Sequence, residues 1–600
     1  MTVEVPESVS ERLGRIRDAM QSRHIDAIVV LSSDPHLSEY LPEHWQFRQW
    51  LSGFHGSAGT LVITATFAGL WVDSRYWEQA DQQLQASPIT PMYAGMPEVV
   101  APIQWVANHL QAGQTVWSDF SVLPYKTYQE WEGVLTPHGI HLRGEESWMG
   151  ALWADRPALP AASVYAHEPP HACRTIAENV QAVRKAMAEQ QAQWHVLSSL
   201  DDIAWLLNLR GSDIPYNPVF LAYVLLGEQS ITLFVDAHKL STELTAHLTQ
   251  QGVVLRGYDD VYPAISALPT DSCVLIDGAR TTQAMRQQLQ PRRIVDTLNP
   301  SQLLKACKTD AELAHVRATM VKDGVALCEF FAWFEAAIAS ETITELTVDE
   351  KLTAARARQA GFVSPSFGTI AAFNANGAMP HYSATPEQHA VIEGNGLLLI
   401  DSGGQYLGGT TDITRVIPVG TVSVEQQQDF TRVLQGMIAL SQAHFPVGTP
   451  GVALDAIARL PLWRHGLDFG HGTGHGVGYF MNVHEGPQSI SPRVPTPAHV
   501  GLQAGMITSN EPGLYRPGQW GVRIENLVAA IPASTSAFGE FLKFETLTLC
   551  PIDTRCIVLD ALSIAEKQWL NAYHARVYRK LQPHVDGAAL AWLQERTQAI

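Results

Sequence analysis

Residues 396–420 read GLLLIDSGGQYLGGTTDITRVIPVG. An apolar run leads into Asp401, a Gly-rich turn follows, and a Thr/Ile/Val-rich segment carries Asp412. The pattern predicts a β-hairpin-like pair with a carboxylate on each of two neighbouring strands. An acid at the end of LLLI is half-buried by its surroundings, and a buried carboxylate is costly unless it is paired or binds a cation. Taken alone, the stretch leaves both readings open: a turn cap and a salt bridge, or two cation ligands.

Three more segments carry the same chemistry. FGHGTGHGVGYFMNVHEGP, residues 469–487, sets His471, His475 and His484 among glycines. Histidine is a common nitrogen ligand and a proton carrier near neutral pH, and glycine lets the backbone approach a ligand closely. One buried histidine is most often a satisfied core residue; three in so short a span favour a site. ITSNEPGLYRPGQWGVRIEN, residues 507–526, puts Glu511 in a Pro-Gly turn and Glu525 on a strand. Arg523, two residues before Glu525, is expected on the same strand face. NGAMPHYSATP, residues 376–386, places His381 before a polar turn.

Asp401, Asp412, Glu511 and Glu525 would carry four negative charges, and two divalent cations would bring four positive ones. That balance removes the desolvation problem the acids otherwise pose. Oxygen-rich ligation with one imidazole suits Mn, Co or Zn. Two such ions about 3.5–4 Å apart can clamp a carbonyl and a water in hydrolysis. The predicted chemistry is metal-assisted hydrolysis.

Outward from these segments, the chain has 600 residues, room for about three to six domains. IRDAM (Ile16 to Met20) precedes an apolar run and LSSD; VRKAM (Val183 to Met187) precedes VLSSLDD. The two helix starts lie 167 residues apart and the two Ser pairs 166, as a duplicated helix–strand–turn unit would. ALWADRPALPAASVYAHEPPHACR, residues 151–174, reads as a Pro/Ala-rich linker between the copies. Near DTLNPSQLLKACKTDAE, Thr309 and Glu312 make a capping box for a long helix with Leu313, Val316, Met320 and Leu327 as its buried stripe. Ser563 and Glu566 cap a terminal helix in the same way. Three domains are expected, about 1–160, 161–300 and 301–600.

Composition excludes several classes. Charged residues are 16% against an average of about 25%, and hydrophobic residues 46%, so the chain is not mostly disordered. A net charge of −19 argues against a nucleic-acid partner. Six cysteines with no CxxC pair fit a reducing cytoplasm. There is no signal-peptide pattern at the start and no apolar run near 18 residues, so no membrane association is expected. HEPPH at 167–171 matches HExxH only formally, because Pro169 and Pro170 would disrupt the required helix. P-loop, GxGxxG and GxSxG patterns are missing, which leaves nucleotide binding and serine hydrolysis without support.

The motif order NGAMPHY, DSGGQYLGGTTDITR, HGTGHGVGYFMNVHEGP, SNEPG and VRIEN resembles the pita-bread metallopeptidases, in particular the long three-domain aminopeptidases P of eukaryotic type. SEYLPEHWQFRQWLSGFHGSAGTLVIT (38–64), IAWLLNLRGSDIPYNPVF (203–220) and FLKFETLTLCPIDT (541–554) extend the likeness over nearly the whole chain. The resemblance implies an α/β (α+β) architecture, with two related creatinase-like domains before a pita-bread catalytic domain. It implies Asp401 as a terminal ligand, Asp412 and Glu525 as bridging ligands, and His475 and Glu511 completing the second metal. Glu511 would also be the general base. His381 and His484 would bind substrate and stabilise the oxyanion, His471 would line the proline pocket, and Arg523 would orient an acidic group. The implied cofactor is two divalent ions, Mn²⁺ by family habit with Zn²⁺ or Co²⁺ as alternatives. The implied partners are peptides with an Xaa-Pro N-terminus and a second copy in a homodimer.

The implied reaction removes the N-terminal residue before proline. A prolidase-like Xaa-Pro dipeptidase shares the metal site but is usually shorter, with two domains. A non-catalytic pita-bread binding protein would lack metal ligands, and here all five are intact.

Overall fold

The computed structural model describes residues 7–144, 148–493 and 500–600. The chain forms two compact units. The first takes in the described residues up to His167, with Arg174–Pro215 and Val219–Ser301; the second holds Glu168–Cys173, Tyr216–Pro218 and Gln302–Ile600.

Two six-stranded sheets make up the framework of the first unit. One runs, in spatial order, Thr90–Tyr93, Ala68–Val72, Thr60–Thr64, Ala27–Leu31, Thr115–Trp117, His141–Arg143. The other runs Val253–Arg256, Ile231–Phe234, Tyr223–Gly227, Trp194–Leu197, Cys273–Ile276, Arg293–Asp296. Strand directions match position by position: the third strand of each runs antiparallel to both its neighbours, and every other adjacent pair is parallel. Each sheet is introduced by a 14-residue helix, Val9–Ser22 or Ile176–Glu189, started by a capping box, Ser8 with Glu11 or Thr175 with Glu178. The sequence echo therefore marks a true repeat of one folding unit. Between the repeats, residues 151–174 are largely irregular, with a short strand, Tyr165–Ala166, paired to Leu209–Arg210. The HEPPH segment lies in this irregular chain and forms no helix.

The second unit is built around helix α1, Asp310–Ala337, capped by Thr309 and Glu312 as expected. Its burial is wider than one stripe. Leu313, Val316 and Met320 line one face of the first half, but Asp323 to Cys328 are all buried, so the middle of the helix is covered all round. Beyond it Phe330, Phe331 and Phe334 are buried, while Glu335 is half-buried and Ala336 exposed, so the last turns again bury one face. The core it enters also holds Leu397 to Ile400, Val416, Val522, Leu527 and, from the terminal helix Ile564–Leu581, Leu570 and Val577.

The strands that matter for the acids are β1 Gly396–Ser402, β2 Ile413–Val419, β3 Ile507–Asn510, β4 Gly513–Arg516, β5 Trp520–Arg523, β6 Asn526–Ser536 and β7 Gly539–Thr546, while His475 ends a short strand, Gly474–His475. β1 and β2 pair antiparallel with Asp401 opposite Thr414, β4 pairs with β5, and β6 pairs with both β3 and β7. All residues of β1 are buried, which explains why LLLI shows no alternation of apolar and polar positions.

Candidate metal centre

Strand ends set the site. Asp401 is the next-to-last residue of β1, and Asp412 stands one residue before β2 begins. The hairpin-like pairing is as expected, but Asp412 precedes its strand instead of lying on it. The β3–β6 ladder ends at Asn510 opposite Asn526. Glu511 leaves β3 there and Glu525 enters β6 there, so the register itself sets two carboxylates side by side. Glu525 is not on the strand that ends at Arg523; it sits in the break between β5 and β6, where its N–H donates to Thr414 O at 3.2 Å. Arg523 and Glu525 thus do not share one strand, yet both reach Thr414 Oγ1.

The polar contacts are specific. Arg523 donates to Asp401 Oδ2 at 2.6 Å, to the Tyr515 hydroxyl at 2.7 Å and to Thr414 Oγ1 at 3.2 Å. Its partner is the candidate terminal ligand itself. Thr414 Oγ1 donates to Glu525 Oε2 at 2.7 Å. His475 Nε2 lies 3.4 Å from Asp412 Oδ2 and 3.5 Å from Glu511 Oε1. The Ser509 hydroxyl donates to Glu511 Oε1 at 3.1 Å and accepts from the His475 N–H at 2.9 Å. Thr414, Ser509 and Tyr515 are functional neighbours that the sequence reading passed over. Thr414 and Ser509 each stand two residues from an acid, Asp412 and Glu511, a spacing that would have singled them out.

The donor set fits cations. Asp412, His475 and Glu525 offer ligand atoms all within 4.8 Å of one another. Asp401 Oδ1 and Glu525 Oε1 are buried without a hydrogen-bond partner among the described residues. Such lone pairs are costly to bury unless something positive faces them. His475 Nδ1 lies 3.0 Å from Gly476 O, and a carbonyl can only accept, so Nδ1 carries the proton. With its Nδ1 proton fixed there, the ring in its neutral form would offer the Nε2 lone pair, the tautomer a ligand needs.

The electrostatics of the protein alone show how crowded the acids are. Burial, with further acids nearby, lifts Glu525 well above the ordinary carboxylate range. Burial raises Asp401 too, and the Arg523 charge restrains it. Glu511 is pushed up to about 7 by burial, against the pull of His475 and Arg523. Burial alone would lower His475, but its hydrogen bond to Asp412 and the Glu511 charge outweigh that and raise it to about 9. Dense carboxylates with shifted proton affinities mark functional clusters.

The other three candidate histidines are held in different ways. The His484 ring meets the His475 ring edge-on, with centroids 4.2 Å apart. His471 donates from Nδ1 to Gly472 O at 2.7 Å, so its Nε2 accepts from the Tyr515 hydroxyl at 2.8 Å. The chain His471–Tyr515–Arg523–Asp401 thus links the expected proline side to the acids. Phe469 packs against the His471 ring at 4.9 Å, and Arg459 donates to the carbonyls of both residues. His381 stands on a separate loop pinned by Glu345, which accepts from Phe373 N, Asn376, Tyr382 and Ala390 N. That loop packs flush on β5: a Cβ at Gly521 would lie 1.7 Å from Gly377 O, so the approach requires glycine.

Comparison with known proteins agrees with this geometry. Residues 314–531 match the model of metallopeptidase family M24, and residues 540–600 match the C-terminal region of that peptidase. Residues 12–142 and 155–312 each match a creatinase/prolidase N-terminal domain. A probable Xaa-Pro aminopeptidase P of Talaromyces marneffei is 38% identical over 98% of this chain and 92% of its own. The chain belongs to metallopeptidase family M24. Aminopeptidase P2 of Arabidopsis thaliana is also 38% identical, over 99% of this chain and 89% of its own. The crystal structure of X-prolyl aminopeptidase from Caenorhabditis elegans, described as a cytosolic enzyme with a di-nuclear active site, superposes with a TM-score of 0.93. It is 32% identical and covers 99% of this M24 chain and 100% of its own. The expected architecture, two creatinase-like domains before a pita-bread metallopeptidase domain, is borne out. Among the described residues no helix is long and apolar enough to cross a membrane.

Proposed function

We propose that this M24 chain is an Xaa-Pro aminopeptidase, releasing the first residue of peptides whose second residue is proline. The observation that carries this is the set of four carboxylates and one imidazole, with Asp401, Asp412 and Glu525 buried, His475 and Glu511 half-buried, and Asp401 Oδ1 and Glu525 Oε1 unpartnered among the described residues. The name shared by its full-length relatives supports the substrate.

In this reading Asp401 would hold one cation, Asp412 and Glu525 would serve both, and His475 and Glu511 would complete the second. Two divalent cations held there supply Lewis-acid polarisation of the scissile carbonyl and lower the pKa of the attacking water. Manganese is the proposed metal, zinc and cobalt the alternatives. Glu511 would take the proton from that water and hand it to the departing proline nitrogen. His381 and His484 donate to the carbonyl oxygen as it gains charge. His471, fixed by Tyr515, borders the proline ring. The Xaa-Pro amide has no N–H, so the site need not offer an acceptor at that nitrogen. Residues 1–160, 161–300 and 301–600 are the proposed domains. A homodimer and a cytoplasmic location complete the reading, the latter by likeness to the cytosolic worm enzyme.

A peptide-length assay tests the substrate class. With Mn²⁺ present, an Arg-Pro-Pro peptide should lose its arginine. Cleavage of Arg-Pro alone, with Arg-Pro-Pro untouched, would instead identify a dipeptidase.

A further inference from the structure

The loop that bears His475 and His484 is closed by buried charges that lie outside the ligand set. Glu485 directly follows His484 and is 3% exposed. Its Oε1 accepts from Lys308 Nζ at 3.0 Å, and its Oε2 lies 3.6 Å from Lys305 Nζ. Both lysine side chains are buried; Lys305 lies on the short helix Pro300–Ala306, and Lys308 directly precedes the cap of α1. Lys308 Nζ also donates to Val477 O at 2.7 Å. One ammonium therefore holds the loop on both limbs, two residues after His475 and one after His484.

The limbs are also joined through one carbonyl. Gly476 O accepts from Glu485 N at 2.8 Å and from His475 Nδ1 at 3.0 Å. The fit leaves no space, since a Cβ at Gly476 would lie 2.0 Å from Glu485 O. The carbonyl that fixes the His475 tautomer is thus the one that Glu485 anchors. A ligating histidine depends on such an acceptor for its ring orientation.

We propose that Lys308 and Glu485 form a positioning clamp, which sets His475 Nε2 against Asp412 and Glu511 and holds His484 beside it. Neither residue touches substrate. The proposal rests on the reading of His475 as a cation ligand. Stability alone is a poor reason for such a cluster, because well-packed apolar residues often replace a buried ion pair without loss. What apolar packing does not reproduce is the directed grip on Val477 O and Glu485.

That difference supplies the test. Full-length Glu485→Gln, Glu485→Asp and the charge-free triple variant Lys305→Met, Lys308→Met, Glu485→Leu are compared with the unsubstituted protein. Mn²⁺ affinity of the metal-free protein is measured by calorimetry, and kcat and KM are measured on Arg-Pro-Pro, each below the variant's own melting temperature. The clamp predicts Mn²⁺ binding weaker by about 10–100-fold and a lower kcat in Glu485→Gln, and in the triple variant even where it melts like the parent. Glu485→Asp keeps the charge and should lose less. A folded triple variant that binds Mn²⁺ and turns over within about twofold of the parent would overturn the clamp. Should the triple variant not fold, Glu485→Asp and Glu485→Gln with parental affinity would overturn it equally. If the parent itself neither binds Mn²⁺ nor cleaves, the ligand reading fails and the clamp with it.

Discussion

Arg523 and Asp401 form a buried ion pair, Nη2 to Oδ2 2.6 Å, in which Asp401 Oδ1 has no partner among the described residues. One oxygen is held by the protein and the other is left for a cation. The same guanidinium grips Tyr515, which holds His471, so a single side chain aligns an acid and the histidine of the proline side.

Arg523→Lys keeps the charge and loses the fork that reaches Asp401, Tyr515 and Thr414 together. Calorimetry should find Mn²⁺ affinity lower by about 10–100-fold, with kcat reduced alongside. Unchanged affinity would show that Asp401 needs no orientation.

Glu511→Ala removes a ligand and the proposed base. Turnover should fall by about 10²–10⁴-fold or more, since positioned proton transfer alone is worth that much. The metal-free variant should melt no lower than the parent, because one of four mutually repelling buried acids is gone. Near-normal activity would refute the assignment.

The site's proton affinities set a pH signature for the metal-free protein. Glu511 rises from 4.5 to about 7 on folding, so between those values the folded state holds a proton that the unfolded chain has released. Its contribution to stability therefore falls as pH rises through that window. His475 rises from 6.5 to about 9, so the stability it adds is complete below about 6.5 and is lost as pH climbs through 9. Both act in one direction. The gap in melting temperature between Mn²⁺-loaded and EDTA-treated protein should widen from pH 5 to pH 9. A gap that narrows would contradict the charge balance proposed for the site.

The fold was legible in its outline and the site in its chemistry. The IRDAM and VRKAM echo found the repeat because helix, strand and turn recur in one order. Asp401, Asp412, Glu511 and Glu525 stood out because acids beside apolar strands need a reason. What stayed hidden was mostly long-range pairing. Thr414 meets Glu525 across 111 positions, and Lys308 meets Glu485 across 177. No local pattern encodes either contact. The strand break at Ile524 and Glu525 was hidden for another reason: VRIEN alternates like one strand, and there Glu525 N donates to Thr414 O. α1 was read with one buried stripe, and the full burial of Asp323 to Cys328 comes from neighbouring elements that no local pattern shows.

Tyr515→Phe removes the hydroxyl shared by His471 and Arg523 while keeping the ring. Loss of this buried hydrogen bond should weaken kcat/KM for Arg-Pro-Pro by an amount equivalent to about 1–3 kcal/mol. The loss should show in KM as well as kcat, because the proline side loses its fixed histidine.

The most direct measurement is a Mn²⁺ titration of the metal-free full-length protein, with bound metal per chain and arginine release from Arg-Pro-Pro followed together. The account predicts two ions per chain, activity that rises with occupancy, and the loss of both in Asp412→Asn. Full cleavage in the presence of EDTA, or no metal bound at saturating Mn²⁺, would contradict it.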